Sequence, residues 1–128
     1  MEKEKFTIEY PVRNNISGAH IWQYFHTEDG LSAWFADKVL IRNGMYEFFW
    51  GDSSQQAKLI HNTALLSARY HWLEDEEDAS YFQFKLERDE ITQVVTLVIT
   101  DFAYPEDKQD SINLWNTQIE NLRRTIGL

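Results

Sequence analysis

The sequence predicts an α+β fold: a curved antiparallel sheet of seven strands, two short helices after the first strand, and a long C-terminal helix packed across the concave face. Three observations predict it. An alternating apolar segment opens the chain, two short aromatic-rich helical segments follow, and from Lys38 onwards strand-like runs succeed one another through short turns until one amphipathic helix closes the chain. With 128 residues, 43% of them hydrophobic, there is material for one core, so residues 1–128 are expected to form a single domain.

The first strand is read from "KFTIEYPVR", in which Phe6, Ile8 and Tyr10 face one way and Pro11 closes the run. Ser17 then caps a helix that buries Ile21, Trp22 and Phe25, with Ile16 and Ile21 placed as a hydrophobic staple. Thr27, followed by Glu28 and Asp29, is a second N-cap with acids at the positive helix end; it opens a short helix carrying Leu31, Trp34 and Phe35. Helices of one or two turns do not hold alone, so both must be docked on the sheet.

The sheet segment begins with "KVLIR", Asn43-Gly44 and "MYEFFW", a hairpin whose turn pair suits the type I′ geometry. After "GDSS" come the runs "QQAKLIHN" and "LSARYHW", the acidic stretch Glu74 to Asp78, "ASYFQFKLE", a tight turn at Arg88-Asp89-Glu90, and "ITQVVTLVITDF". Connections this short make neighbouring strands antiparallel. The last helix is entered near Pro105 and stops at Gly127. Ile112, Trp115, Ile119, Leu122 and Ile126 form its apolar stripe, while Glu106, Asp107 and Asp110 at its start and Arg123 and Arg124 at its end match the helix dipole. The concave face of the sheet is the only large apolar surface available to that stripe.

Five segments, "GLSAWFAD", "FFW", "ARYHW", "TDFA" and "LWNTQIENLRRTIG", in this order of elements, resemble the helix-grip superfamily of START domains, birch-pollen-allergen-like proteins and polyketide cyclases. Within it, the chain looks like the small bacterial START-like proteins related to the domain that activates the Hsp90 ATPase, over essentially its whole length. The resemblance implies a cavity between sheet and long helix. Members of the superfamily bind lipids, hormones or polyketides, or contact a chaperone, so the fold does not by itself name a function. Because this chain is shorter than lipid-transporting START domains and has five Trp, six Tyr and eight Phe, its cavity is expected to be small and partly filled by rings.

Composition and motifs narrow the classes further. A net charge of −9, from 21 acidic and 12 basic residues, argues against a nucleic-acid partner, which needs clustered Lys and Arg. There is no Cys, no apolar run long enough for a membrane span, and a charged beginning, "MEKEKFTIEY", so a cytoplasmic protein is expected. Nucleotide, zinc-protease and hydrolase signatures are absent, the four His stand at no ligand spacing, and Glu74 to Asp78 lack the spacing of a calcium loop, so no metal, cofactor or catalytic residue is assigned. Asn15-Ile16-Ser17 matches a glycosylation sequon but reads as the helix cap. Asp101 reads as a brace for the last helix, since no His or nucleophile accompanies it.

Strand parity is left open by the sequence. Either Glu47 and Arg69 face inward as a charge pair that would orient a polar ligand head, or Tyr46, Phe48, Trp50, Tyr70 and Trp72 form the core. The expected function is a non-catalytic binding domain for a small hydrophobic or amphipathic ligand, with Trp34, Phe35, Phe49, Arg69, Phe84 and Trp115 as contacts. The alternative is a chaperone-associated protein-interaction domain with a vestigial cavity; a cyclase or hydrolase working in the cavity ranks third.

Overall fold

A computed structural model describes residues 2–12, 17–75 and 79–127. The elements are β1 (Glu4–Val12), α1 (Gly18–Trp22), a 3-10 turn (Gln23–Phe25), α2 (Glu28–Ser32), β2 (Lys38–Arg42), β3 (Met45–Trp50), β4 (Ser53–Thr63), β5 (Ser67–Trp72), β6 (Phe82–Arg88), β7 (Val95–Ala103), a second 3-10 turn (Pro105–Asp107) and α3 (Lys108–Ile126). All seven strands form one antiparallel sheet in the order β1-β7-β6-β5-β4-β3-β2. This is the predicted α+β architecture: a six-strand meander whose last strand takes β1 as its outer neighbour.

Both predicted caps form. Ser17 Oγ accepts a hydrogen bond from His20 N at 3.1 Å, and Thr27 Oγ1 accepts one from Gly30 N at 2.9 Å, each satisfying an amide that the first helical turn leaves without a partner. The staple residue Ile16 and the sequon positions Asn15 and Ile16 lie outside the described residues, as do Glu76 to Asp78 of the acidic stretch. Asn43 and Gly44 adopt φ of 53° and 76°, both left-handed as a type I′ turn requires. Gly127 ends α3 in the same region, with φ 76°.

Three boundaries differ from the sequence reading. Pro11 does not close β1 but lies inside it, opposite Thr96; β1 is an edge strand, where a missing N–H disturbs no ladder. Ile91 to Val94 belong to the β6–β7 loop and not to a strand, because Asp89 Oδ1 accepts hydrogen bonds from Ile91 N and Thr92 N, each 2.9 Å, and folds the chain into a longer turn. Trp34 and Phe35 follow the last residue of α2, although the amide of Phe35 still donates to Leu31 O at 2.9 Å.

Parity is resolved in favour of the aromatic face. Tyr46, Phe48, Ala57, Ala68, Tyr70, Phe82, Phe84, Leu86, Leu97 and Ile99 are buried on the concave side, and α3 sets Trp115, Ile119 and Leu122 against them. Glu47 and Arg69 therefore point away from the core and do not pair. Glu47 accepts from Ser54 Oγ at 3.3 Å, while Arg69 donates from Nε to Gln83 Oε1 at 2.9 Å and lies 3.9 Å above the Tyr81 ring. A register shift at Leu59/His61 inserts Ile60 as an extra residue in β4 and helps bend the sheet.

The short helices dock through the polar tips of aromatic rings. Tyr70 Oη donates to Phe25 O at 2.6 Å, Tyr46 Oη to His26 O at 2.7 Å, and Trp34 Nε1 to Tyr24 O at 2.8 Å, so carbonyls left free where the first helical segment ends are satisfied, two from the sheet and one from the segment after α2. Gly30 lets α2 approach that segment closely: a Cβ there would lie 2.1 Å from Gln23 O. Gly30→Ala is accordingly expected to lower stability by about 3 kcal/mol, the upper range for overpacking, because the obstructing atom is backbone. Urea unfolding of the variant measures this, and a loss below about 0.5 kcal/mol would contradict the close packing described.

A candidate ligand-binding cleft beneath the C-terminal helix

The concave face is not covered evenly. Toward the β3–β4 turn, α3 and the segment following α2 leave a half-open cleft of ≈ 970 Å³. Its aromatic walls are Trp34, Phe35, Trp50, Trp72 and Trp115, and its polar lining includes Asp37, Gln55, Asp101, Gln118 and Arg124. The deeper interior is filled: Phe48, Tyr70, Phe82 and Phe84 are almost wholly inaccessible and pack ring against ring. The cleft thus sits on an aromatic floor. Its size exceeds the small cavity expected from chain length, because rings pack the far end of the sheet and leave this end open.

Phe35 anchors the cleft's inner wall. Its ring lies 5.8 Å from Trp115 and 5.7 Å from Phe82, stacked on both, while its carbonyl accepts hydrogen bonds from Trp50 Nε1 at 3.0 Å and Gln118 Nε2 at 3.4 Å. Trp72 packs on Phe82 at 4.8 Å and approaches Trp50 at 6.2 Å, so these two partly accessible indoles form a second wall. Asp37 closes the rim by accepting from Gly51 N at 2.7 Å.

Asp101 is the one charged residue in the concave row of β7, between Ile99 and Ala103. Its Oδ2 accepts from Trp115 Nε1 at 2.9 Å and its Oδ1 from Phe102 N at 2.7 Å, a tie that holds the first half of α3 to the sheet. The bracing role expected of Asp101 is therefore present, and the same carboxyl also faces the cleft. Burial pushes its pKa up to about 6, against the lowering effect of the Trp115 and Phe102 hydrogen bonds and of Lys3, and with a further raising effect from Asp75. Lys3 and Asp75 form an ion pair at 3.0 Å nearby.

The expected contact residues divide into three sets. Trp34, Phe35 and Trp115 line the cleft. Phe84 lies behind that lining, fully buried, with Trp115 at 5.9 Å and Trp34 at 5.7 Å, so it supports the wall without reaching the open space. Phe49 and Arg69 are corrected: the two-residue period of β3 and β5 turns them to the convex face, where Lys38 Nζ lies 5.8 Å from the Phe49 ring and Arg69 stacks on Tyr81. Trp50, Trp72, Gln55 and Asp101 were not among the expected contacts. Asp101 carried a readable signal, since it alone interrupts the apolar parity of β7. Among the described residues no group of three His, Asp or Glu could hold a metal ion, and no helix is long and apolar enough to cross a membrane.

The family model for the START-like superfamily domain matches residues 1–128. The chain belongs to the START-like superfamily. A Bacteroides fragilis protein solved in solution is 36% identical, with a TM-score of 0.71 over 100% of this chain and 94% of that one. The Aha1 dimer from Colwellia psychrerythraea is 15% identical with a TM-score of 0.74, covering 93% of this START-like chain and 92% of its own. CalU16 from Micromonospora echinospora is 13% identical with a TM-score of 0.71, over 97% and 76% respectively. At those identities the last two share the fold alone. No curated protein matches the sequence.

The raised pKa of Asp101 fixes the sign of a stability effect. The folded START-like domain holds this proton more tightly than the unfolded chain, so the proton's contribution is complete below the unfolded value of 3.8 and is lost as pH rises through about 6. Its full size is on the order of 3 kcal/mol. Across that window the parent protein is expected to lose stability relative to Asp101→Asn, measured by urea unfolding at each pH. Parallel pH profiles for the two proteins would contradict the burial assigned to this carboxyl.

Proposed function

We propose that this START-like domain binds a small hydrophobic or amphipathic molecule in the cleft between α3 and the sheet, without catalysing its conversion. The observation that carries the reading is the cleft itself: ≈ 970 Å³, walled by Trp50, Trp72, Phe35 and Trp115, and left open although aromatic rings fill the rest of the interior. Burying ~300 Å2 of apolar ligand surface there would contribute roughly 7 kcal/mol before association costs, enough for modest affinity. In this reading Asp101 serves to hold Trp115 and the β7 backbone, while its carboxyl also faces the cleft.

A second reading, a protein-interaction domain of the Hsp90-activator type, rests on a different surface. Leu65 and Leu66 in the β4–β5 turn and Ile91 and Val94 in the β6–β7 loop are exposed, Ile91 by 93%, at the end of the sheet away from the cleft. Residues of this kind at two hairpin tips suit docking to an apolar surface. With either reading we propose a cytoplasmic protein.

Octanol, neutral and apolar, is expected to bind saturably and to change tryptophan fluorescence. Trp72→Ala should weaken that binding about tenfold by removing one wall, whereas Phe49→Ala, on the convex face, should leave it within twofold. Absence of saturable binding, or equal losses in both variants, would remove the cleft from consideration as the ligand site.

A further inference from the structure

The chemistry around the cleft selects among amphipathic molecules. Its aromatic walls present indole and phenyl rings, whose faces carry the negative part of the ring quadrupole. Trp50 and Trp72 remain partly accessible and Trp115 lies across from them, hydrogen-bonded to a carboxylate. Among the described residues two carboxyl groups line the space, Asp101 at its base and Asp37 at its rim, and Arg124, exposed on the last turn of α3, is the single cationic residue in the lining. A smaller adjoining recess shares Gln55 and Trp72 with the cleft and adds Glu74 and the Lys3–Asp75 pair. Among the described residues, carboxylates outnumber cationic groups across both spaces, in a chain whose net charge is −9.

We propose that the cleft is selective for an organic cation, an amphipathic molecule whose apolar body lies on Trp50 and Trp72 and whose ammonium head sits beside Asp101. The proposal rests on the ligand-binding reading above and specifies its ligand class. Each Asp101 oxygen accepts one hydrogen bond and retains a further lone-pair direction, so an ammonium group can approach without breaking the tie to Trp115 or to Phe102 N. A carboxylate head would instead meet Asp101 and Asp37, with Arg124 only at the exposed rim. Among the described residues the charged groups that act on Asp101 are Lys3 and Asp75, opposite in sign and paired with each other at 3.0 Å. Because burial brings the Asp101 pKa up to about 6, the selectivity is pH-dependent: acidification through that value protonates the carboxyl and removes the preference.

Three probes of one chain length test this: octyltrimethylammonium, octanol and octanoate, titrated separately into the intact protein at about pH 7.5 and followed by tryptophan fluorescence and calorimetry. Octyltrimethylammonium is expected to bind at least about tenfold more tightly than octanoate, and more tightly than octanol. In Asp101→Asn the advantage over octanol should fall to within about threefold. Should that variant fold poorly, the parent protein at about pH 5 replaces it, with the cation losing its advantage over octanol there. Octanol binding with no preference for the cation, or octanoate binding as well as the cation, overturns the charge selectivity and leaves the cleft as an apolar site. If none of the three binds, the ligand-binding reading itself fails.

Discussion

Phe35 is where the three parts of the molecule meet, and the arrangement of the rest follows from its position. Its ring lies between 5.1 and 5.9 Å from those of Trp34, Phe48, Trp50, Phe82, Phe84 and Trp115, so it touches the helical segment, the sheet and α3 at once. Its carbonyl is held from the sheet by Trp50 and from α3 by Gln118. Helices as short as α1 and α2 have no independent stability, and the Phe35 cluster supplies the tertiary packing that they need. Placing a large ring between α3 and the sheet also holds the helix off the strands at this end. The cleft beside Phe35 is the space that results.

Aromatic side chains do two kinds of work in this interior. Their area drives burial, and the polar tips of Tyr70, Tyr46 and Trp34 reach the carbonyls where the first helical segment ends, so that few polar groups are buried at a loss. Burial pushes the Tyr70 hydroxyl far above its usual pKa, which keeps it a hydrogen-bond donor at any ordinary pH. Asp101 is the exception to this economy. It is a carboxyl brought into a ring-lined site, stabilised by Trp115 and the Phe102 amide yet still facing open space. A group of that kind fixes the helix and gives the cleft its sign of charge.

Much of the fold was legible because local signals agreed with one another. Ser17 and Thr27 announced two helix starts, Asn43-Gly44 a hairpin, and the stripe from Ile112 to Ile126 a helix in need of a sheet. Parity was not legible, since aromatics occur on both faces of the strands: Phe49, Tyr81 and Phe102 lie on the convex side, and Arg69 uses Tyr81 there as a stacking surface. Phe49 and Arg69 were misplaced for that reason. The cleft was only half legible. Trp34, Phe35 and Trp115 came from the resemblance and the helical stripe, but Trp50 and Trp72 come together only through the pairing of β3, β4 and β5, which no local pattern encodes. Pro11 and Ile91 show the same limit, an edge strand and a side-chain-stapled loop overriding the local signal.

One end of the interior is packed by rings and the other is left open as the cleft. The indole N–H signals of the protein's five tryptophans report both ends in a single nitrogen–proton correlation spectrum. On titration with octyltrimethylammonium, the signals of Trp50, Trp72 and Trp115 are expected to shift in a saturable way, while that of Trp22, on α1 away from the cleft, stays in place. Shifts centred on Trp22, or equal shifts at all five indoles, would contradict this arrangement.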